Sequence, residues 1–117
     1  MSRAPLSAVV TTKDNAATLD ACLASLAFCD EIVVLDSNSS DATREIALGH
    51  GARVFVEDFK GYGPQKQSAI DKAAHDWVLL LDADEFLLPA AQSAIERELV
   101  APRADAYRLP RQEWLFW

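Results

Sequence analysis

The chain has 117 residues, 50% apolar and 25% charged, with 18 acidic against 11 basic side chains and a formal net charge of -7. That size and composition bury one modest core in a single domain, and a negative balance without a Lys/Arg cluster argues against a nucleic-acid groove. Apolar runs of about five residues fall far short of the roughly 20 that span a bilayer, and MSRAPLSAVV lacks the long apolar region of a signal peptide.

Leu6 to Thr11 (LSAVVT) predicts a short strand. Leu19, Cys22, Leu23 and Leu26 then recur at i, i+3, i+4 and i+7, the spacing of one helix face. Glu31 to Asp36 (EIVVLD) reads as a buried strand, followed by a helix that Ser40-Asp41 would cap and that runs through Ile46 and Leu48 to a stop at Gly49/Gly51. Arg53 to Val56 predicts the third strand and Glu57 to Gly63 a loop. Pro64 suits the first turn of a helix whose Ile70, Ala73 and Ala74 share a face. Trp77 to Leu81 is the fourth strand, Pro89 opens a helix carrying Ile95 and Leu99, and Asp105 to Leu109 begins a fifth strand. Cys22 and Cys29 would stand about 10 Å apart on a continuous helix, beyond disulfide reach, and read as reduced thiols of a cytosolic protein. No nearby His or Cys completes a metal set with them.

Strands alternating with helices, and apolar on both faces, imply an α/β fold: a mainly parallel sheet with helices on both sides. Ligands of such sheets sit outside the carboxyl ends of the strands, where the strand order reverses. The polar clusters fall at those ends: TTKDN after the first strand, DSNSSD after the second and DADE after the fourth.

Asp82-Ala83-Asp84 offers hard oxygen ligands to Mg²⁺ or Mn²⁺ while leaving the rest of the coordination sphere to water and phosphate. An ion there would bridge protein to diphosphate and stabilise charge building on a phosphate leaving group. A plainer account is that Asp84 or Glu85 merely favours the N-terminus of the next helix, that Asp36-Ser37-Asn38-Ser39 is only a turn and cap, and that Lys13 and Lys66 are solvated charges. An aspartyl phosphatase also ends a strand on Asp-X-Asp, but its motif opens the domain, with Thr or Val where this chain has Phe86. A sugar-nucleotide pyrophosphorylase needs a glycine-rich loop after its first strand, and TTKDNAAT has none.

LSAVVTTKDN, EIVVLDSNSSDAT and WVLLLDADE, in this order and spacing, resemble the N-terminal, donor-binding part of inverting glycosyltransferases of family 2, which have the GT-A fold. GYGPQKQSAIDKA further resembles the bacterial lipopolysaccharide-core glucosyltransferases of that family. The resemblance implies a Rossmann-like sheet and a UDP-sugar donor, UDP-glucose first, held through Mn²⁺ or Mg²⁺. It implies a lipopolysaccharide-core or other glycan acceptor, no nucleic-acid partner, and a cytoplasmic location with peripheral association at the inner membrane face. By the same resemblance Thr11, Thr12 and Lys13 line the nucleotide, Asp36 and Ser37 lie near uracil or ribose, and Lys66 approaches from the helix after the glycine loop. Asp84 is the direct metal ligand, and Asp82 contacts ribose or metal-bound water.

Many family members carry a second acidic residue where this chain has Ser37, which leaves base selectivity open. The family also places its general base on a later segment, so that the catalytic base is expected beyond Trp117. Residues 1–117 are therefore expected to form one incomplete N-terminal domain, truncated at the C-terminus, either part of a transferase or a non-catalytic donor-binding or partner-binding fragment. Glu85 lies beside the donor diphosphate and is badly placed to deprotonate an acceptor, which leaves Glu96, Glu98, Asp105 and Glu113 as further carboxylates.

Overall fold

In the computed structural model, residues 3–101, 107–108 and 115–116 are described. Alternation along the strand decides which residues meet which helices. In the first strand, Leu6–Thr12 (β1), Leu6, Ala8 and Val10 enter one core cluster and Val9 enters another. The first cluster gathers Leu19, Cys22 and Leu23 of Ala16–Ala24 (α1), Ala47 of Thr43–Gly49 (α2), and Ile95 and Leu99 of Pro89–Val100 (α4). The second seats Ala69 of Tyr62–Asp71 (α3) against Val9, Val33 and Leu35. Three helices thus cover one face of the sheet and one helix covers the other. Leu6, Leu19, Leu23, Leu35 and Leu79 are completely enclosed, each contributing about 1.5–3 kcal/mol of burial.

Glu31–Asp36 (β2), Arg53–Val56 (β3) and Trp77–Leu80 (β4) complete a parallel set around β1, in the order β3-β2-β1-β4. Beyond β4 the sheet adds two antiparallel strands, Leu115–Phe116 (β6) and then Tyr107–Arg108 (β5). The chain leaves β1 on one side for β2 and returns on its other side as β4, so the order reverses at β1. This architecture is the expected one, with local differences. Helix α2 starts at Thr43, later than a Ser40-Asp41 cap implies, because Asp41 accepts the Thr43 N–H (3.0 Å) while also holding Ala16 N–H (3.1 Å). Helix α3 ends at Asp71, so Ala73 packs beside Ile70 from outside it and Ala74 turns its N–H to Glu31 (2.8 Å). Pairing of β6 directly with β4 was not foreseen. The expected strand from Asp105 to Leu109 is described only at Tyr107–Arg108, and Asp105, Leu109 and Glu113 lie outside the described residues. Trp117, the residue past which the general base is expected, also lies outside them, and the described carboxylates stop at Glu98.

Among the described residues no helix is long and apolar enough to cross a membrane. Cys22 and Cys29 are free thiols, and burial, the largest cause, pushes each up to about 12; the nearby acidic groups add to it at Cys22, while at Cys29 the Arg3 charge opposes it. Because the thiolate is the nucleophile, both cysteines should resist iodoacetamide at pH 8 in the folded protein and react once urea is added. Intact mass with and without urea checks this, and rapid double alkylation of the folded chain would contradict the packing of α1.

Candidate functional site

The parallel register sets Thr12 at the end of β1 opposite Asp36 at the end of β2. Asp36 has no exposed surface, and an isolated carboxylate there would be costly. Its Oδ1 accepts the hydroxyls of Thr12 (2.7 Å) and Ser39 (2.5 Å), and its Oδ2 accepts Ser39 N–H (2.8 Å) and Arg44 Nη1 (3.1 Å). Burial alone would raise the Asp36 carboxyl, but these donors outweigh it and hold the group below its ordinary range. The two flanking loops are joined across the rim. Asp14 and Asn38 adopt left-handed backbone at φ 52° and 57°, a conformation that short Asx side chains tolerate. Asp14 Oδ1 accepts Ser40 N–H (2.7 Å), and Lys13 Nζ donates to the Asn38 carbonyl (2.9 Å).

The end of β4 is held from below by α1. Thr18 Oγ1 donates to the Ala83 carbonyl (2.9 Å), Cys22 Sγ to that of Asp82 (3.6 Å), and Leu87 N–H donates to Ser25 Oγ (3.0 Å). With its carbonyls engaged toward the helix, the turn carries three acidic side chains at the rim. Oxygens of Asp82, Asp84 and Glu85 all lie within 4.8 Å of one another. Asp82 and Glu85 are half-buried and Asp84 is exposed. Three hard oxygen donors with room for water suit Mg²⁺ or Mn²⁺ and ill suit a thiophilic metal, so the residues present fit the expected ion. Lys66 Nζ stands 3.5 Å from Asp82 Oδ1, a cation on the same cluster.

Between these ends lies a cleft of about 420 Å³. Thr11, Thr12, Lys13, Ser37, Lys66, Asp82 and Asp84 line it together, so the structure brings most of the expected residues to one place. Asp36 lies below the rim instead, its oxygens committed to Thr12, Ser39 and Arg44. Asn15, Phe59, Tyr62 and Gln65 also line the cleft and were not singled out from sequence. Phe59 and Tyr62 meet edge to face, ring centres 5.2 Å apart, and are exposed. Glu85 belongs with the acidic trio, a role its adjacency to Asp84 could have signalled. Glu96 projects from α4 and lies 3.7 Å from Arg3 Nε.

Residues 7–111 match the family model described as glycosyl transferase family 2. An uncharacterized glycosyltransferase of Rickettsia bellii is 38% identical over 103 residues, covering 87% of this chain and 35% of that protein. A lipopolysaccharide core biosynthesis glycosyltransferase, LpsC of Rhizobium meliloti, is 33% identical over 117 residues, covering 95% of this chain and 43% of that protein. The chain thus spans well under half the length of these relatives. Among solved structures, glucosyl-3-phosphoglycerate synthase of Mycobacterium tuberculosis in complex with UDP aligns at 26% identity and TM-score 0.63, covering 71% of this chain and 35% of that one. The same enzyme with Mn²⁺, UDP and glucosyl-3-phosphoglycerate aligns at 22% identity and TM-score 0.69, covering 86% of this chain and 41% of that one.

Proposed function

The chain belongs to glycosyl transferase family 2, and from that premise we propose that its cleft binds a nucleoside-diphosphate sugar, UDP-glucose first, for transfer to a lipopolysaccharide-core or other glycan acceptor. The observation that carries this reading is the convergence of the Asp82 and Asp84 carboxylates, with Glu85 clustered beside them, and Lys66 at a cleft that Thr11, Thr12, Lys13 and Ser37 also line. Donor chemistry is supported by the UDP-bound synthase, and the acceptor class by LpsC. The cleft volume of about 420 Å³ is within the usual range for small-ligand sites.

Asp84, with Asp82 and Glu85 beside it, would hold Mn²⁺ or Mg²⁺, which when bound supplies positive charge to the diphosphate. Lys66 adds a fixed cation where the diphosphate would lie, and Lys13, tied to the Asn38 carbonyl, keeps the β1 and β2 loops together at the nucleoside end. The acidic groups that line the cleft, Asp82 and Asp84, both belong to the cluster assigned to metal and donor. Among the described residues, deprotonation of an acceptor hydroxyl is therefore assigned to a group other than these two. Work on a cytoplasmic nucleotide-sugar pool fits the reduced state inferred for Cys22 and Cys29, with peripheral docking at the inner membrane face for a lipid-linked acceptor.

The test is calorimetric titration of UDP, GDP and CDP into the purified chain with Mn²⁺ and with EDTA. Binding of UDP that requires the metal is expected. Equal affinity in both conditions would count against a bridging ion, and no binding of any nucleotide would remove the donor-site reading. Lys66→Ala should weaken UDP binding by roughly tenfold or more, the worth of one charge-assisted contact of about 1.5–3 kcal/mol, with the far-UV spectrum unchanged. An unaltered dissociation constant would return Lys66 to the role of a solvated surface charge.

A further inference from the structure

We propose that Lys66 competes with the divalent cation for Asp82, so that the chain takes the metal weakly by itself and firmly alongside an anion that draws the lysine away. The proposal deepens the donor-site reading above and rests on it. Three carboxylates whose oxygens lie within 4.8 Å of one another repel, and each gains from a cation nearby. Lys66 supplies one, its Nζ 3.5 Å from Asp82 Oδ1. The two side chains are 35% and 43% exposed, so water weakens this pair without removing it. The turn of α3 that carries Lys66 is anchored. Gln65, the residue before it, is 1% exposed, donates from Nε2 to Ser37 Oγ (3.0 Å) and accepts the Lys60 N–H on Oε1 (3.3 Å). One buried amide thus ties the start of the helix to the end of β2, and the flexible lysine stem is left as the part that can move the ammonium.

Lys66 opposes a divalent cation at the trio in two ways. It already engages Asp82, which the cation would have to share, and it places a like charge close by. A double and a single positive charge about 5 Å apart in water cost roughly tenfold in affinity, and salt at about 0.15 M reduces this to about fivefold. Lys66 also lines the cleft together with Asp82 and Asp84, so an anion lodged there offers the ammonium another partner. Drawing the lysine off leaves Asp82 to the metal and replaces repulsion by a bridging negative charge. By linkage, the metal strengthens the anion's binding by the same factor that the anion strengthens the metal's. Lys66 thereby makes metal and donor enter together rather than singly.

The test titrates Mn²⁺ alone, without nucleotide, into the folded chain at about 0.15 M NaCl, read by calorimetry and by the paramagnetic resonance signal of free Mn²⁺. Lys66→Met keeps the apolar stem and removes the charge, and it should tighten Mn²⁺ about fivefold or more while weakening UDP. These opposite signs set it apart from a merely structural residue, whose loss would weaken both. Lys66→Arg retains the charge and should stay near the parent. Lys13→Met removes another cation of the same cleft, one tied to the Asn38 carbonyl (2.9 Å), and should change Mn²⁺ affinity by less than about twofold. In an Asp82→Asn background, Lys66→Met should add little, because the contested carboxylate is gone. Unchanged or weaker Mn²⁺ binding in folded Lys66→Met overturns the proposal, and so does equal tightening by Lys13→Met or full tightening in the Asp82→Asn background. Metal-dependent UDP binding in the parent would then leave the donor site standing. A parent that binds neither Mn²⁺ alone nor UDP with Mn²⁺, with no gain of Mn²⁺ binding in Lys66→Met, overturns both.

Discussion

Asp84→Ala is expected to abolish the metal-dependent part of UDP binding, a loss of at least the 10- to 100-fold that even indirect changes at metal sites produce. Asp84 is the exposed member of the acidic trio, whereas Asp82 already has Lys66 at 3.5 Å. Asp82→Ala should therefore leave more of the metal effect than Asp84→Ala does. The two conditions of the titration separate a ligand from a mere charge. With Mn²⁺, affinity falls; with EDTA, removing a carboxylate beside a diphosphate relieves repulsion, so metal-free affinity should hold or rise. Loss of affinity in EDTA as well would point to a collapsed turn, and parent-like Mn²⁺ dependence in both variants would remove the trio from the metal site.

The second large effect concerns stability. Asp36→Ala should destabilise the chain by about 3 kcal/mol, because the buried donors around it lose their acceptor at about 1–3 kcal/mol each, whereas the Arg44 side chain is 39% exposed and can turn to water. The substitution leaves the hydroxyls of Thr12 and Ser39, the Ser39 N–H and the Arg44 guanidinium without their shared acceptor. Against a total of about 5–15 kcal/mol for a domain, this is a large fraction, visible as a lower urea midpoint at pH 7. The sign of the pH dependence follows from the lowered carboxyl. Its stabilisation is complete above the ordinary value of 3.8 and is lost as pH falls through the lower folded value, because the unfolded chain takes up the proton first. The parent should thus lose this contribution below about pH 4, and Asp36→Ala should lack that part of the acid dependence. A parent-like midpoint would mean that the rim stands without Asp36, and the carboxylate would then be free for a direct role toward the nucleotide.

Much of this was legible in the sequence, for a local reason. β2 and β3 have the bounds expected of them, and β1 and β4 differ by one residue, because strands with both faces covered are short apolar runs ended by polar turns. The Asp-X-Asp at the end of such a run can be read as a ligand pair without knowing what lies opposite. Helix ends were less legible. The start of α2 depends on Asp41 bonding to Ala16, 25 residues earlier, and the end of α3 on Glu31 capturing the Ala74 N–H, 43 residues away. No sequence window contains those partners. The pairing of β6 with β4 is of the same kind, since a two-residue strand gains its identity from the edge it joins.

The sequence by itself determined the α/β alternation, the family, and which three strand ends carry polar chemistry, because each rests on neighbours within a few residues. Tertiary structure decided how those residues divide their work. Thr11, Thr12, Lys13, Ser37, Lys66, Asp82 and Asp84 line one cleft because parallel register brings the ends of β1, β2 and β4 level and α3 crosses beside them. Asp36 sits beneath that cleft and Gln65 at its wall, although a polar residue at a strand end and another in a helix give no sign of which will be enclosed. The difference is physical. Periodicity records how much apolar surface a segment must hide, whereas the fate of a buried carboxylate or amide depends on donors and acceptors that only folding brings within about 3 Å.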